Sequence, residues 1–487
     1  MMRIGLLGGG VIGGGWAARF LLNGHDVDLF DPDPDAPRKL ERVLENARRA
    51  YGRLTLAPLP AEGELRFATT VEEAVTAADF VQESAPERIE LKRKLLGAAS
   101  AAARPDVVIA SSTSGLRPTE LQTGMTRPEH LTVGHPFNPV YLLPLVELCA
   151  GERTARATIE RAAEVYRSVG MQPLHVRTEI DGFIADRLLE ALWREALWLV
   201  HDGVATVEEV DDAIRYGPGL RWSIMGTFLT YRIAGGEDGV RHFMAQFGPA
   251  LQWPWTKLTD VPELTNELLD RLESESDEQA RGLSIAELER LRDDCLVGVL
   301  QALRGQGVGA GETLRRYETE LIGAASVAGS DGAPLRLHRA TVGPDWVDYN
   351  GHASESTYLR VAGQATDLLL GLVGIDDGYL RDGGSYYTVE THLRHLGQAV
   401  EGDLLEVATH VLGADEKRLH VYHRVLRGDD MLATAEQMLL HVDARTGRSG
   451  PAAAEVLAAV RRIADAHAVL PPPDDVGRRI EMPAPVA

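Results

Sequence analysis

Basic side chains are in short supply in this sequence. Lys and Arg total 50 against 72 Asp and Glu, which leaves a formal net charge of −22 over 487 residues. So acidic a chain argues against a broad nucleic-acid contact, because a phosphate backbone has to be met by clustered cations. Cysteine is scarce too. Cys149 and Cys295 are the two, without another cysteine or a histidine at ligand spacing. This argues against a disulfide framework and against a metal site. Isolated thiols suit a reducing compartment, so a cytoplasmic protein is expected. No apolar run is long enough to span a bilayer. The glycine-dense start runs directly into a strand-like segment ending at Asp31, which is not how a signal peptide continues. The expected partners are therefore small molecules, with neither nucleic acid nor membrane among them.

At roughly 100–200 residues per domain, the length suggests about three domains. Residues 1–180 alternate short apolar runs with helical patterns. Arg3 to Leu7, Val27 to Phe30, Phe80 to Gln82 and Val107 to Ala110 read as strands, and Val11 to Asn23 as a helix. Such alternation predicts an α/β domain with a parallel, doubly wound sheet. Over residues 181–322 apolar side chains recur at helical spacing, as in Leu188, Leu189, Leu192, Ala196 and Leu199, which predicts a separate all-α domain. Residues 323–334 are small, polar and breaker-rich, a linker by composition. Residues 335–469 hold one apolar helix, about Tyr358 to Val373, followed by β-like runs around Tyr386, Leu404, Leu419 and Met438. A helix before an antiparallel meander predicts an α+β unit. The proline-rich tail, 470–487, is expected to be loosely ordered.

The run Gly8-Gly9-Gly10-Val11-Ile12-Gly13 lies between the first strand and the first helix. In the spacing G-x-G-x-x-G the first glycine allows a tight turn. The second lets a pyrophosphate approach the backbone, and the third lets helix and strand pack closely. The free N–H groups of the helix then face the phosphates. Asp31 ends the second strand, where a carboxylate accepts hydrogen bonds from the ribose hydroxyls of NAD and repels the extra phosphate of NADP. No arginine follows it in Pro32-Asp33-Pro34-Asp35. A Rossmann domain that takes NAD is the expectation.

Further on stand Ser111-Ser112-Thr113-Ser114, then Gly134-His135-Pro136-Phe137-Asn138-Pro139, then Val146-Glu147. Oxidising an alcohol needs a base for the hydroxyl proton while hydride leaves the carbon, and histidine titrates in the right range. The turn after His135 is able to fold Glu147 back as its partner. Taken alone, a histidine in such a loop is more often structural. Together with the glycine-rich start, however, these motifs resemble the 3-hydroxyacyl-CoA dehydrogenase family over roughly the first 320 residues. The resemblance implies that His135 is the general base, that Glu147 orients it, and that Ser114 hydrogen-bonds the substrate oxygen. One position departs from the family pattern. An asparagine is usual in Gly-Phe-Ile-x-Asn-Arg, whereas this sequence has Gly182-Phe183-Ile184-Ala185-Asp186-Arg187. A carboxylate beside a developing alkoxide opposes the chemistry, so Asp186 pairs either with Arg187 or with a cationic group on the substrate.

The helical region carries tryptophans at 193, 198, 222, 253 and 255. Aromatic faces hold quaternary ammonium ions through the ring quadrupole. The alternative for any one of them is a core or dimer-interface role. Arg221 suits a substrate carboxylate or else lies on the surface. Gly217 to Trp222 and Phe247 to Trp255 resemble the L-carnitine dehydrogenase branch of the family. That resemblance implies L-carnitine as substrate, with Asp186, Arg221, Trp222, Trp253 and Trp255 around it. The competing substrates are a 3-hydroxyacyl-CoA and L-gulonate.

The last module opens on Asp345-Trp346-Val347-Asp348-Tyr349-Asn350-Gly351-His352. This run resembles hotdog-fold thioesterases, which implies that Asp348 is the carboxylate and that Asn350 and His352 position water or the carbonyl. The usual asparagines after the histidine are replaced by Ala353-Ser354-Glu355. The other reading is a turn of Asp, Asn and Gly that caps the helix. Beside a carnitine dehydrogenase, a thioesterase acting on betainyl-CoA makes chemical sense, and a homodimer is the default assembly. An NAD-binding redox sensor without turnover is the rival from outside the enzymes.

Overall fold

The structure, a computed structural model, describes residues 1–55, 57–223, 226–234, 245, 256, 263, 265–328, 333–343 and 346–480. Trp253 and Trp255 lie outside the described residues. The chain divides into two compact units, Met1–Ala50 with Ala61–Tyr317, and Tyr51–Pro60 with Glu318–Ala487.

The first unit is built on an eight-stranded sheet. Its strands are β1 (Arg3–Leu7), β2 (Asp26–Phe30), β3 (Leu65–Ala68), β4 (Phe80–Glu83), β5 (Val108–Ser111), β6 (Leu131–Pro136), β7 (Leu145–Cys149) and β8 (Gln172–Val176). They run in the order β3-β2-β1-β4-β5-β6-β7-β8. Neighbours from β3 to β6 are parallel, as the alternation of strands and helices predicts. The pair β6 and β7 departs from that expectation and is antiparallel. Residues 137–144 are too few for a parallel crossover, which needs about a dozen, so the chain turns back on itself. That reversal sets His135 directly opposite Glu147, and opposed residues of an antiparallel pair share one face.

Buried charge lies at the carboxyl end of β4. Lys92, on the helix Ile89–Ala102, donates to Glu83 at 2.9 and 3.2 Å. Both side chains are almost wholly buried, and Glu83 also accepts from Ser111 and from the Ala85 amide. Breaking such a pair leaves an uncompensated charge in the interior. Lys92→Met is expected to destabilise this unit by about 3–5 kcal/mol, read as a lowered urea midpoint of its unfolding transition. A midpoint equal to wild type would refute the assignment.

After Gly182 the chain is helical, with Ala185–His201, Val207–Arg215, Asn266–Gln279 and Ile285–Gln306 among its helices. Thr206 and Ser284 start two of these with reciprocal capping boxes, which satisfy the free N–H groups of the first turn. Val200, Val210 and Leu268 form a small core between them. The helix Ala310–Ala328 runs on through the first half of the segment read as a linker.

The second unit holds an antiparallel sheet of β9 (Leu335–Thr341), β10 (Gly384–His395), β11 (Leu404–Ala414), β12 (Arg418–Arg427), β13 (Asp430–Asp443) and the short β14 (Arg448–Ser449). The order is β10-β13-β12-β11-β9, with β14 beside β13. The helix Glu355–Leu372 buries Tyr358, Val361, Ala365 and Leu369 against one face. This is the predicted hotdog arrangement. The described part of the tail, up to residue 480, differs from the expectation: Asp475 is bonded to Arg394 and Tyr422, and the Gly477 amide donates to Glu436 at 2.8 Å. A carboxylate that meets a guanidinium and a phenol holds the segment in place. No helix among the described residues is long and apolar enough to cross a membrane.

Candidate active sites

The turn from β1 into the helix Val11–Leu22 is shaped by its glycines. Gly8 has φ +103°, and a Cβ at Gly13 would lie 1.8 Å from the Gly8 carbonyl oxygen. Neither position accepts a side chain. A Cβ at Gly10 meets nothing within 4 Å, so this face is open to a ligand. Gly10 is the N-cap and offers no side-chain oxygen, which leaves the helix's first N–H groups for an anion. Asp31 accepts from the Gly9 amide at 2.6 Å and from the Asp33 amide at 2.8 Å. The cradle and the adjacent carboxylate fit NAD: Gly8 to Gly13, Val11 and Ile12 included, would hold its pyrophosphate, and Asp31 would meet its ribose. Asp31→Asn keeps an acceptor for Gly9 but removes the charge. It is expected to raise the KM for NAD about 10- to 100-fold and to narrow the preference over NADP. Steady-state kinetics with both nucleotides test this, and an unchanged preference would assign the discrimination elsewhere.

His135 and Glu147 meet as their cross-strand register dictates. His135 Nδ1 lies 3.0 Å from Glu147 Oε2, and both side chains are buried. The other carboxylate oxygen, Oε1, accepts from the amides of Ile184 and Ala185 at 3.0 and 2.9 Å. Burial pushes the Glu147 carboxyl up. The bond to His135 and the two N–H groups outweigh it and hold the group below its ordinary range. An ionised carboxylate on Nδ1 keeps the proton there and leaves Nε2 as acceptor. On that side Asp186 Oδ2 lies 3.8 Å from Nε2.

A cavity of about 650 Å³ opens beside them, lined by Ser114, Gly115, Asp186, Arg187, Glu190 and Arg194 among others. The structure thus brings Ser114 and Asp186 to one cavity next to His135. It does not bring Arg221 and Trp222 there. Gly217 and Pro218 start a separate short helix, Pro218–Trp222, on which both side chains are exposed. Arg187 reaches the Asp181 carbonyl at 3.3 Å, and among the described residues His135 is the ion partner recorded for Asp186.

Sequence reasoning passed over Glu87. Its carboxylate accepts from the Thr113 hydroxyl and from the amides of Ser114 and Gly115 at 3.2 Å, and Lys92 stands 3.4 Å from its other oxygen. It therefore fixes the loop that presents Ser114. An acidic residue just past the end of β4, four residues after Glu83 closes the strand, was the available signal, because the carboxyl ends of the strands line the ligand crevice in an open α/β sheet.

In the second unit Asp348, Asn350 and His352 share one tight loop, closed by a bridge between Val347 and Ala353. Asp348 Oδ1 accepts the Asn350 amide at 2.8 Å, and the Asp348 amide donates to the His352 carbonyl at 2.8 Å. Asp348 is exposed. The loop does not supply the helix cap, since the N-cap of Glu355–Leu372 is Ser354. A carboxylate held by one oxygen at the mouth of a loop keeps the other for chemistry.

Comparison with known proteins agrees in both units. Residues 3–180 match the 3-hydroxyacyl-CoA dehydrogenase NAD binding domain, 182–267 the C-terminal domain of the same family, and 342–480 the thioesterase-like superfamily. A Rhizobium meliloti protein described as L-carnitine dehydrogenase/betainyl-CoA thioesterase is 52% identical over 483 residues, 97% of each chain. An L-carnitine dehydrogenase of Pseudomonas aeruginosa is 61% identical over 298 residues, 61% of this chain and 92% of that one. Among solved structures, a 5-formyl-3-hydroxy-2-methylpyridine 4-carboxylic acid 5-dehydrogenase superposes with a TM-score of 0.53 at 29% identity, over 63% of this chain and 99% of its own.

Proposed function

The chain belongs to the L-carnitine dehydrogenase/betainyl-CoA thioesterase branch of the 3-hydroxyacyl-CoA dehydrogenase family, and from that membership we propose two activities with the residues that carry them. The first unit oxidises L-carnitine to 3-dehydrocarnitine with NAD. The second hydrolyses betainyl-CoA to betaine and CoA. The observation that carries the reading is the buried His135–Glu147 pair, at 3.0 Å, with Asp186 of the open cavity 3.8 Å from His135, on the same sheet domain as the glycine cradle.

In the dehydrogenase, His135 Nε2 takes the hydroxyl proton of the carbinol. Glu147 holds the ring in the tautomer that can accept it and stabilises the imidazolium that forms. The Ser114 hydroxyl, on the cavity wall, hydrogen-bonds the substrate oxygen. NAD, when bound, accepts the hydride from the same carbon, so the C–H and O–H bonds break and the carbonyl forms. Arg187 and Arg194 line the cavity and are better placed for the substrate carboxylate than Arg221. Trp222, Trp253 and Trp255 are left without an assigned contact.

In the thioesterase, Asp348 is the carboxylate that activates water or attacks the thioester carbonyl, with Asn350 and His352 as polar partners. The oxygen of water ends bonded to the carbonyl carbon, the C–S bond breaks, the acid leaves as betaine and the departing thiolate of CoA takes the proton. We place the protein in the cytoplasm on its two unpaired cysteines. We take it to be a homodimer on the exposed stripe of Leu188, Leu189 and Trp193 along the helix Ala185–His201.

One panel tests the whole reading. NAD reduction is followed with L-carnitine, L-gulonate and 3-hydroxybutyryl-CoA, and thiol release with betainyl-CoA. L-carnitine is expected to be the preferred alcohol. Preference for either of the others would reassign the first unit, and a lack of thiol release would reassign the second.

A further inference from the structure

Asp186 stands where the chemistry of dehydrogenation gives it no work. Its Oδ2 lies 3.8 Å from His135 Nε2, on the side of the ring away from Glu147. Nε2 is the atom that must meet the alcohol. Any substrate whose hydroxyl reaches it therefore brings the neighbouring carbon up to the Asp186 carboxylate. The side chain is 20% exposed and lines the cavity.

Its position is fixed by the catalytic pair itself. The amides of Ile184 and Ala185, the two residues just before it, donate to Glu147 Oε1. The carboxylate that orients the base thus also anchors the turn from which Asp186 projects. Asp186 cannot swing away from His135 without loosening that anchor.

The local charge points the same way. Burial raises the Asp186 carboxyl above its ordinary range, His135 pulls it back, and Glu147, Glu190 and Glu87 add to the rise. Arg187 and Arg194 are the cavity's guanidiniums. Several carboxylates crowded at an alcohol site work against an alkoxide and against the phosphates of coenzyme A. A permanent cation close to the carbinol would compensate them, since it needs no hydrogen-bond partner and draws its attraction from charge alone.

We propose that Asp186 is the specificity-determining residue of the dehydrogenase: its carboxylate pairs with a quaternary ammonium on the carbon next to the oxidised carbinol and so selects a cationic 3-hydroxy acid over uncharged and acyl-CoA alcohols. This rests on the reading of the first unit as a dehydrogenase. An amide at this position leaves the cation unpaired while preserving shape.

The test uses the full-length protein with L-carnitine and with its neutral isostere, in which a quaternary carbon replaces the nitrogen. Asp186→Asn is expected to raise the KM for L-carnitine about 100-fold, with kcat changed only a few-fold. The isostere should be oxidised at least as well as by wild type, so the ratio of kcat/KM between the two substrates collapses. Asp186→Glu restores part of the preference. In the wild type, the KM for L-carnitine rises on acidification as Asp186 takes a proton, a component that the Asn variant lacks. An equal loss on both substrates would show that Asp186 acts through His135, and an unaltered preference would show that it reads no charge. Either result overturns this proposal alone. A wild type that oxidises neither substrate overturns the dehydrogenase reading with it. Isostere turnover and NAD affinity report that the variant is folded.

Discussion

His135→Asn is expected to lower kcat for NAD reduction by L-carnitine about 10²- to 10⁴-fold, the usual contribution of a positioned base. NAD affinity and thiol release from betainyl-CoA should stay at wild-type levels. Asparagine is small enough for the buried site and keeps a donor for Glu147 Oε2, so the loss reports on proton transfer and not on folding. Glu147→Gln sharpens the test. Its carbonyl oxygen can still accept from Ile184 and Ala185, now bonded at 3.0 and 2.9 Å, but its amide presents a donor to His135 Nδ1. The ring must then place its proton on Nε2, where it cannot act as acceptor. Activity should fall in the same range as for His135→Asn, while the double variant should lose little more than either single one, because the two residues act as a unit. Variants that keep more than a tenth of wild-type turnover would remove His135 from the role of base.

That both residues are legible in sequence follows from the local nature of the signals. Gly8, Gly10 and Gly13 are dictated by backbone geometry within one turn, and Asp31 by the strand that follows. His135 and Glu147 required one non-local step, the antiparallel return of β7. The breakers Pro136, Pro139 and Pro144 and the shortness of 137–144 contained that step, although the sheet was expected to be parallel. What escaped was less local. Glu87 acts through amides of a loop 27 and 28 residues away, a distance no pattern encodes. Strand β9 escaped because Arg336, His338 and Arg339 interrupt its apolar character. The helix Ala454–His467 escaped although Val456, Val460 and Ile463 recur at helical spacing, since its stripe is narrow and alanine-rich. The substrate residues are the least legible. Arg221 and Trp222 suit the substrate by residue type alone, and only their placement on a separate helix shows them apart from the cavity.

The two units carry their chemistry on different kinds of support. The pair proposed for the dehydrogenase sits on adjacent strands, where packing and register hold it rigid. The residues proposed for the thioesterase sit on a loop whose order depends on the Asp348 side chain itself, through the bond from the Asn350 amide. Removing the carboxylate therefore risks the loop as well as the reaction, and an isosteric change is the cleaner probe.

Asp348→Asn is the second large effect expected. The amide oxygen still accepts the Asn350 N–H, so the turn closed by Val347 and Ala353 should persist. What disappears is the ionised oxygen available to take a proton from water or to attack the carbonyl. Thiol release from betainyl-CoA should fall about 10²- to 10⁴-fold with KM little changed, because the interaction lost is made in the transition state. NAD reduction by L-carnitine should be untouched, and the complementary pattern from His135→Asn would show that each unit works with its own catalytic residue. Asp348→Ala gives the contrast: it removes both functions of the side chain and should lower activity at least as far. If Asp348→Asn keeps wild-type thiol release while Asp348→Ala abolishes it, the residue shapes the loop and does no chemistry. If both are active, the thioesterase carboxylate lies elsewhere on the second unit.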